Sequence, residues 1–141
     1  MADTAVAPPP MVITIPGVIR GKQRPRFGRG RTYTPEATVN AEAHMKACAI
    51  EQVGQPCLGG PLALSMAISV MVPDSWSKKK RAAALAGEIR PTGKPDADNA
   101  LKMAADALNG VVWRDDAQLV DVNVSKRYGE KPGAVLTIQE A

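Results

Sequence analysis

Apolar and polar positions along this chain follow two periods. Residues 11–16 (MVITIP) are β-branched and end at Pro-Gly, which predicts a short strand. Leu62, Leu64, Met66, Ile68, Val70 and Val72 share one face at period two, and Ala63, Ser65, Ala67, Ser69 and Met71 share the other. This predicts a central strand over 62–72 whose small second face lets another element approach closely. Val120, Val122 and Val124 mark a strand over 118–126, and a turn at 130–133 leads to a last strand over 134–139.

Three helices fall between these strands. Thr34 can cap, Pro35 suits the first helical position and Glu36 favours the positive end, so a helix runs from there to about Val53 and stops at Gly54. A second helix opens around residues 74–77, carries Lys78, Lys79, Lys80 and Arg81, and ends at Gly87. A third covers 98–109 and is closed by Gly110. Strands and helices mix without strict βαβ alternation. The expected fold is therefore α+β (mixed α/β), a single small domain with helices packed on a mixed sheet.

Length and composition narrow the function. At 141 residues the chain makes one domain and not two, with residues 1–10 a proline-rich flexible leader and 11–141 the domain. The hydrophobic fraction of 45% and charged fraction of 23% fit a globular protein. No apolar run approaches the roughly 18 residues of a membrane span, and residues 1–10 lack the pattern of a signal peptide. Cys48, Cys57 and His44 cannot make a four-ligand zinc site within one chain, and the two thiols fit a reduced, cytoplasmic setting. A catalytic metal would then rest on carboxylates, which suit a hard ion such as Mg²⁺.

Charge adds a partner. The formal net charge is +4, and Arg20, Lys22, Arg24, Arg26, Arg29 and Arg31 place six positive charges within twelve residues with no acid among them. Interleaved Gly and Pro make this segment a loop or an arm, and its guanidinium forks suit the phosphate oxygens of a nucleic acid.

The chemistry concentrates between Lys94 and Gln118, KPDADNALKMAADALNGVVWRDDAQ. Asp96 and Asp98 are two apart, so in an extended step both carboxylates point the same way. Asp98 also sits where a helix begins and can accept N–H bonds from its first turn. Lys102 follows four residues later on the same helical face, and Asp106 four after that. Asp115 and Asp116 precede the next strand. If helix and strand lie side by side, one of them returns to the Asp96/Asp98 end, and three carboxylates converge with Lys102. Such a cluster repels itself until a divalent cation joins it.

PDADN, Lys102, Asp106-Ala107-Leu108 and Asp115-Asp116-Ala117-Gln118 together resemble the RusA family of Holliday-junction resolvases. The resemblance implies Asp96, Asp98 and Asp116 as metal-binding catalytic carboxylates, with Asp115 the less favoured member of its pair, and Lys102 as the catalytic lysine. It implies Mg²⁺, with Mn²⁺ able to substitute, and a homodimer that makes paired symmetric nicks in a four-way DNA junction during recombination and repair. Two rivals share parts of the pattern. One is a carboxylate-metal nuclease acting on other branched or duplex DNA. The other is a non-catalytic basic DNA-binding protein whose acidic residues are structural.

Overall fold

Strand β1 (Met11–Pro16) and helix α1 (Glu36–Val53) form where the patterning places them. The computed structural model describes residues 9–21, 26–28, 31–33 and 36–141. Thr34 and Pro35, the expected cap of α1, lie outside the described residues, as do Lys22, Arg24, Arg29 and residues 1–8 of the expected leader. Within the basic segment, Arg26–Gly28 (β2) and Arg31–Tyr33 (β3) pair antiparallel. The loop expected there therefore contains a short hairpin.

The main sheet adds β4 (Leu62–Met71), β5 (Leu119–Gly129) and β6 (Gly133–Glu140), in the order β1-β6-β4-β5. Strand β4 pairs parallel with β5 and antiparallel with β6, and β6 is antiparallel to β1. The sheet is mixed because residues 72–118 cross over between β4 and β5 and carry α2 (Lys78–Leu85) and α3 (Ala97–Ala107). Ser77 caps α2 by accepting from Lys80 N at 3.2 Å, so that helix begins after the expected 74–77 start.

Helices α1 and α3 pack on each other and on one face of the sheet. Ile13, Ile15, Leu62, Leu64, Met66, Ile68, Leu136 and Ile138 point into that layer and meet Met45, Met103, Leu108 and Trp113. Each such burial contributes about 2 kcal/mol. Trp113 is fully buried, as a core tryptophan should be. Among the described residues the small face of β4 stays largely uncovered. Ser65, Ala67 and Met71 stay exposed there, beside exposed Val12 and Val135. The expected close approach of another element on that face is not made among the described residues.

The two sheet edges differ. On β1, the Gln52 side chain of α1 donates from Nε2 to Thr14 O at 2.7 Å and accepts from Thr14 N at 2.8 Å. His44 Nε2 lies 2.8 Å from Pro16 O, and a carbonyl only accepts, so that nitrogen carries the proton. The β5 edge pairs with no described strand.

Candidate active site

Helix α3 sets the geometry. Its N-cap is Asp96, with extended dihedrals, and Asp98 stands in the first turn. The cap thus lies two residues earlier than the sequence suggests. The Asp96 carboxylate caps no backbone N–H; it accepts from Asn99 Nδ2 at 3.3 Å. Both carboxylates are exposed at the positive end of the helix, where the peptide dipoles favour negative charge. Lys102 is exposed one turn along from Asp98. Buried Ala100, Met103, Ala104 and Ala107 hold the opposite face to the core.

The segment leading into Asp96 is clamped from β5. Lys126 Nζ donates to Gly93 O at 2.7 Å and to Pro95 O at 3.0 Å. Arg90 Nε donates to Lys126 O at 2.9 Å. One strand residue thereby fixes both ends of the loop, while Pro91 and Pro95 are buried beneath it. Lys126 shares the core-facing side of β5 with Val122 and Val124, opposite Ile68 of β4. A lone cation in phase with a valine stripe is the signal that sequence reasoning overlooked.

A different device holds the other acidic pair. Asp115 caps a 3₁₀ turn, Asp116–Gln118, through a capping box with Gln118. The Gln118 Oε1 accepts from Asp115 N at 2.9 Å, and its Nε2 donates to Leu58 O and Gly60 O, both at 2.9 Å. Asp115 is therefore occupied by the turn. Asp116 is exposed, and its carboxylate has no hydrogen bond among the described residues.

These two acidic groups do not meet within one chain. Asp96 and Asp98 begin α3, whereas Asp115 and Asp116 follow its far end, where Gly110 N donates to Trp113 O. Eleven helical residues span about 16 Å. Along β5, the step from Leu119 to Lys126 covers about 23 Å. The convergence expected from helix and strand lying side by side fails because β5 begins, rather than ends, beside the C-terminus of α3. Among the described residues no three acidic, His or Cys side chains are grouped to hold a metal.

The basic surface joins the Asp96 end. Arg20 is exposed, and Gly21 packs so closely on α3 that a Cβ there would stand 2.8 Å from Asn99 Cβ. The six-charge segment thus begins against the first turn of α3. On α2, Lys80 Nζ lies 3.9 Å over the Trp76 ring, which meets Tyr128 of β5 edge-on. The Cys48 sulfur lies 3.8 Å from His44 Nε2, but burial, and Glu51 after it, push the thiol up and leave it a poor nucleophile. No described helix is long and apolar enough to cross a membrane.

Comparison with known proteins agrees with the acidic pattern. Residues 16–139 match the family model described as Endodeoxyribonuclease RusA. The chain is also 33% identical over 127 residues to an uncharacterized protein, YqaN, of Bacillus subtilis (strain 168), covering 87% of this chain and 89% of that one. The family match takes in β4, α3, the Asp115 turn and β5 together, so the acidic motifs and the fold that carries them point the same way: this chain belongs to the RusA endodeoxyribonuclease family.

Proposed function

We propose that the protein is a Mg²⁺-dependent endonuclease that resolves four-way DNA junctions by paired nicks. The observation that carries this reading is the exposed Asp96/Asp98 pair at the N-terminus of α3, with Lys102 one turn away and the basic segment starting against the same turn. The donors are hard carboxylate oxygens, and Mg²⁺ is commonly held by one or two carboxylates plus substrate phosphate. Asp96 and Asp98 would hold the ion, and Asp116, which stands beyond the far end of α3, would join them only from the second copy of a dimer. A bound divalent cation supplies Lewis acidity at the phosphate and a more acidic water. Lys102 sets a fixed positive charge where negative charge grows on the phosphoryl oxygens. Arg20, Lys22, Arg24, Arg26, Arg29 and Arg31 bind backbone phosphates and fix the position of the DNA without reading bases. Two symmetric nicks need two sites, which supports a homodimer.

The test is a nicking assay on a synthetic four-way junction beside linear duplex. Cleavage is expected in Mg²⁺ or Mn²⁺, weak or absent in Ca²⁺, and confined to paired nicks with 5′-phosphates that ligase seals. Undiminished cleavage in excess EDTA overturns the metal assignment. Equal cleavage of duplex moves the protein to the general nuclease class.

A further inference from the structure

Helix α2 carries a charge pattern that the cleavage site does not use. Lys78, Lys79, Lys80 and Arg81 open it with no acid in its first turn. The three lysines are exposed and Arg81 is half-buried. This is the positive end of the helix, where the peptide dipoles disfavour cations. Among the described residues none of the four forms an ion pair, so the patch also repels itself. An anion from outside relieves both penalties. The patch is held in place at both ends of the helix. Trp76, just before the Ser77 cap, meets Tyr128 of β5 edge-on with ring centroids 5.3 Å apart, and Lys80 Nζ covers the indole at 3.9 Å. At the far end Arg127 Nη1 lies 3.5 Å from where a Cβ of Gly87 would stand. Lys80 is thus spent on the ring, and Lys78 and Lys79 remain free cations on a docked helix.

We propose that α2 is a second, rigid grip on the DNA, separate from the cleavage site, which holds the backbone of a duplex arm through Lys78, Lys79 and Arg81. The proposal rests on the nuclease reading only for the identity of the substrate. Position supports it. Tyr128, which anchors the start of α2, stands one same-face step of about 7 Å beyond Lys126, which holds the loop before Asp96. The eight residues of α2 add about 12 Å. The cations therefore lie on the order of 20 Å from that loop, about six base pairs along a duplex. A row of backbone phosphates leaving the cleavage site meets both places at once, whereas a small anion meets only one. The Trp76 ring is covered by Lys80 and Tyr128 and is closed to base stacking, so the grip reads charge and not sequence.

Binding of a synthetic four-way junction, followed by fluorescence anisotropy in Ca²⁺ over a range of salt, tests this without cleavage. The double variant Lys78→Ala, Lys79→Ala should bind about tenfold more weakly, with its salt slope reduced by about two. Lys46→Ala, which removes an exposed cation from α1, should change affinity less than about twofold. A double variant with an unchanged slope, or no weaker than Lys46→Ala, overturns the proposal. Neutral methylphosphonates placed one at a time along an arm should weaken wild type about threefold at two or three positions some four to eight base pairs from the branch, and leave the double variant indifferent there. Equal sensitivity of the two proteins overturns the assignment to α2. Trp76→Leu keeps all four cations but frees the helix from β5, and should cost about fivefold in affinity. Unchanged affinity, with helix content intact by circular dichroism, refutes the rigid grip. If Trp76→Leu unfolds, the methylphosphonate comparison decides. A wild type that binds the junction but cleaves no DNA ends the nuclease reading and leaves this test standing. One that binds no DNA ends the proposal.

Discussion

The two ends of α3 each present an exposed carboxylate, and they fix it in opposite ways. At the N-terminal end, Asp96 follows a loop with no repeating structure, held by a cation on a strand some thirty residues away in sequence. At the C-terminal end, Asp116 sits in a 3₁₀ turn that its neighbours Asp115 and Gln118 close locally, and only afterwards does Gln118 tie the turn to Leu58 and Gly60. The first arrangement depends on the finished sheet. The second is partly written into four consecutive residues. An end that forms locally tolerates damage elsewhere, while an end held at long range fails with its clamp.

The sharpest test of this contrast removes the clamp. Lys126→Met keeps length and loses the ammonium, so the Gly93 and Pro95 carbonyls lose their donor and Asp96 loses its fixed position. Nicking should fall about 100-fold, consistent with the sensitivity of metal chemistry to misplaced ligands. Junction affinity should change less than about threefold, because the phosphate-binding segment is untouched. Hydrogen exchange should quicken at residues 93–99 and not at 115–118. Parallel loss of affinity and global fold would make Lys126 a stability residue alone. Lys126→Arg should recover only part of the rate, since a planar fork does not replace a compact ammonium between two carbonyls.

A smaller effect is expected at the other end. Gln118→Leu loses three hydrogen bonds and leaves the Gly60 carbonyl and the Asp115 N–H without their partner, while Leu58 O keeps the Arg114 N–H, at a cost of about 2 kcal/mol in chemical denaturation. Asp115 and the turn backbone retain part of the local structure, so nicking should fall about tenfold or less. If Gln118→Leu harms nicking more than Lys126→Met does, the ranking of the two ends reverses. Smaller still is Asp115→Ala, a lost cap worth about 1 kcal/mol by thermal or chemical unfolding, with nicking reduced less than about threefold. A rate loss as large as that of Asp116→Asn would instead make Asp115 the ligand.

The same contrast explains what could be read in the sequence. Period-two stripes located β4 and the strands flanking it, and Gly54, Gly87 and Gly110 marked helix ends correctly, each with positive φ. The acidic motif placed Asp96 and Asp98 together at the start of α3, since that relation is local. What could not be read was tertiary direction. A strand following a helix can begin at either end of it, and only the parallel pairing of β4 with β5 settles that Asp116 starts the strand away from Asp98. The role of Lys126 was hidden for the same reason: its partners are carbonyls, and carbonyls belong to every residue.

The covered edge of β1 carries a last consequence, for the size of the assemblies this protein can form. A four-stranded sheet has two margins, and if both accepted a neighbour, copies would add without end into a ribbon. Gln52 occupies both outward groups of Thr14, and Pro16 has no N–H to offer while His44 takes its carbonyl. Growth through that margin is stopped by three side chains. The smallest change of all, Gln52→Leu, should therefore leave nicking and dimerisation intact, yet produce salt-resistant oligomers above the dimer that size-exclusion chromatography resolves as concentration rises.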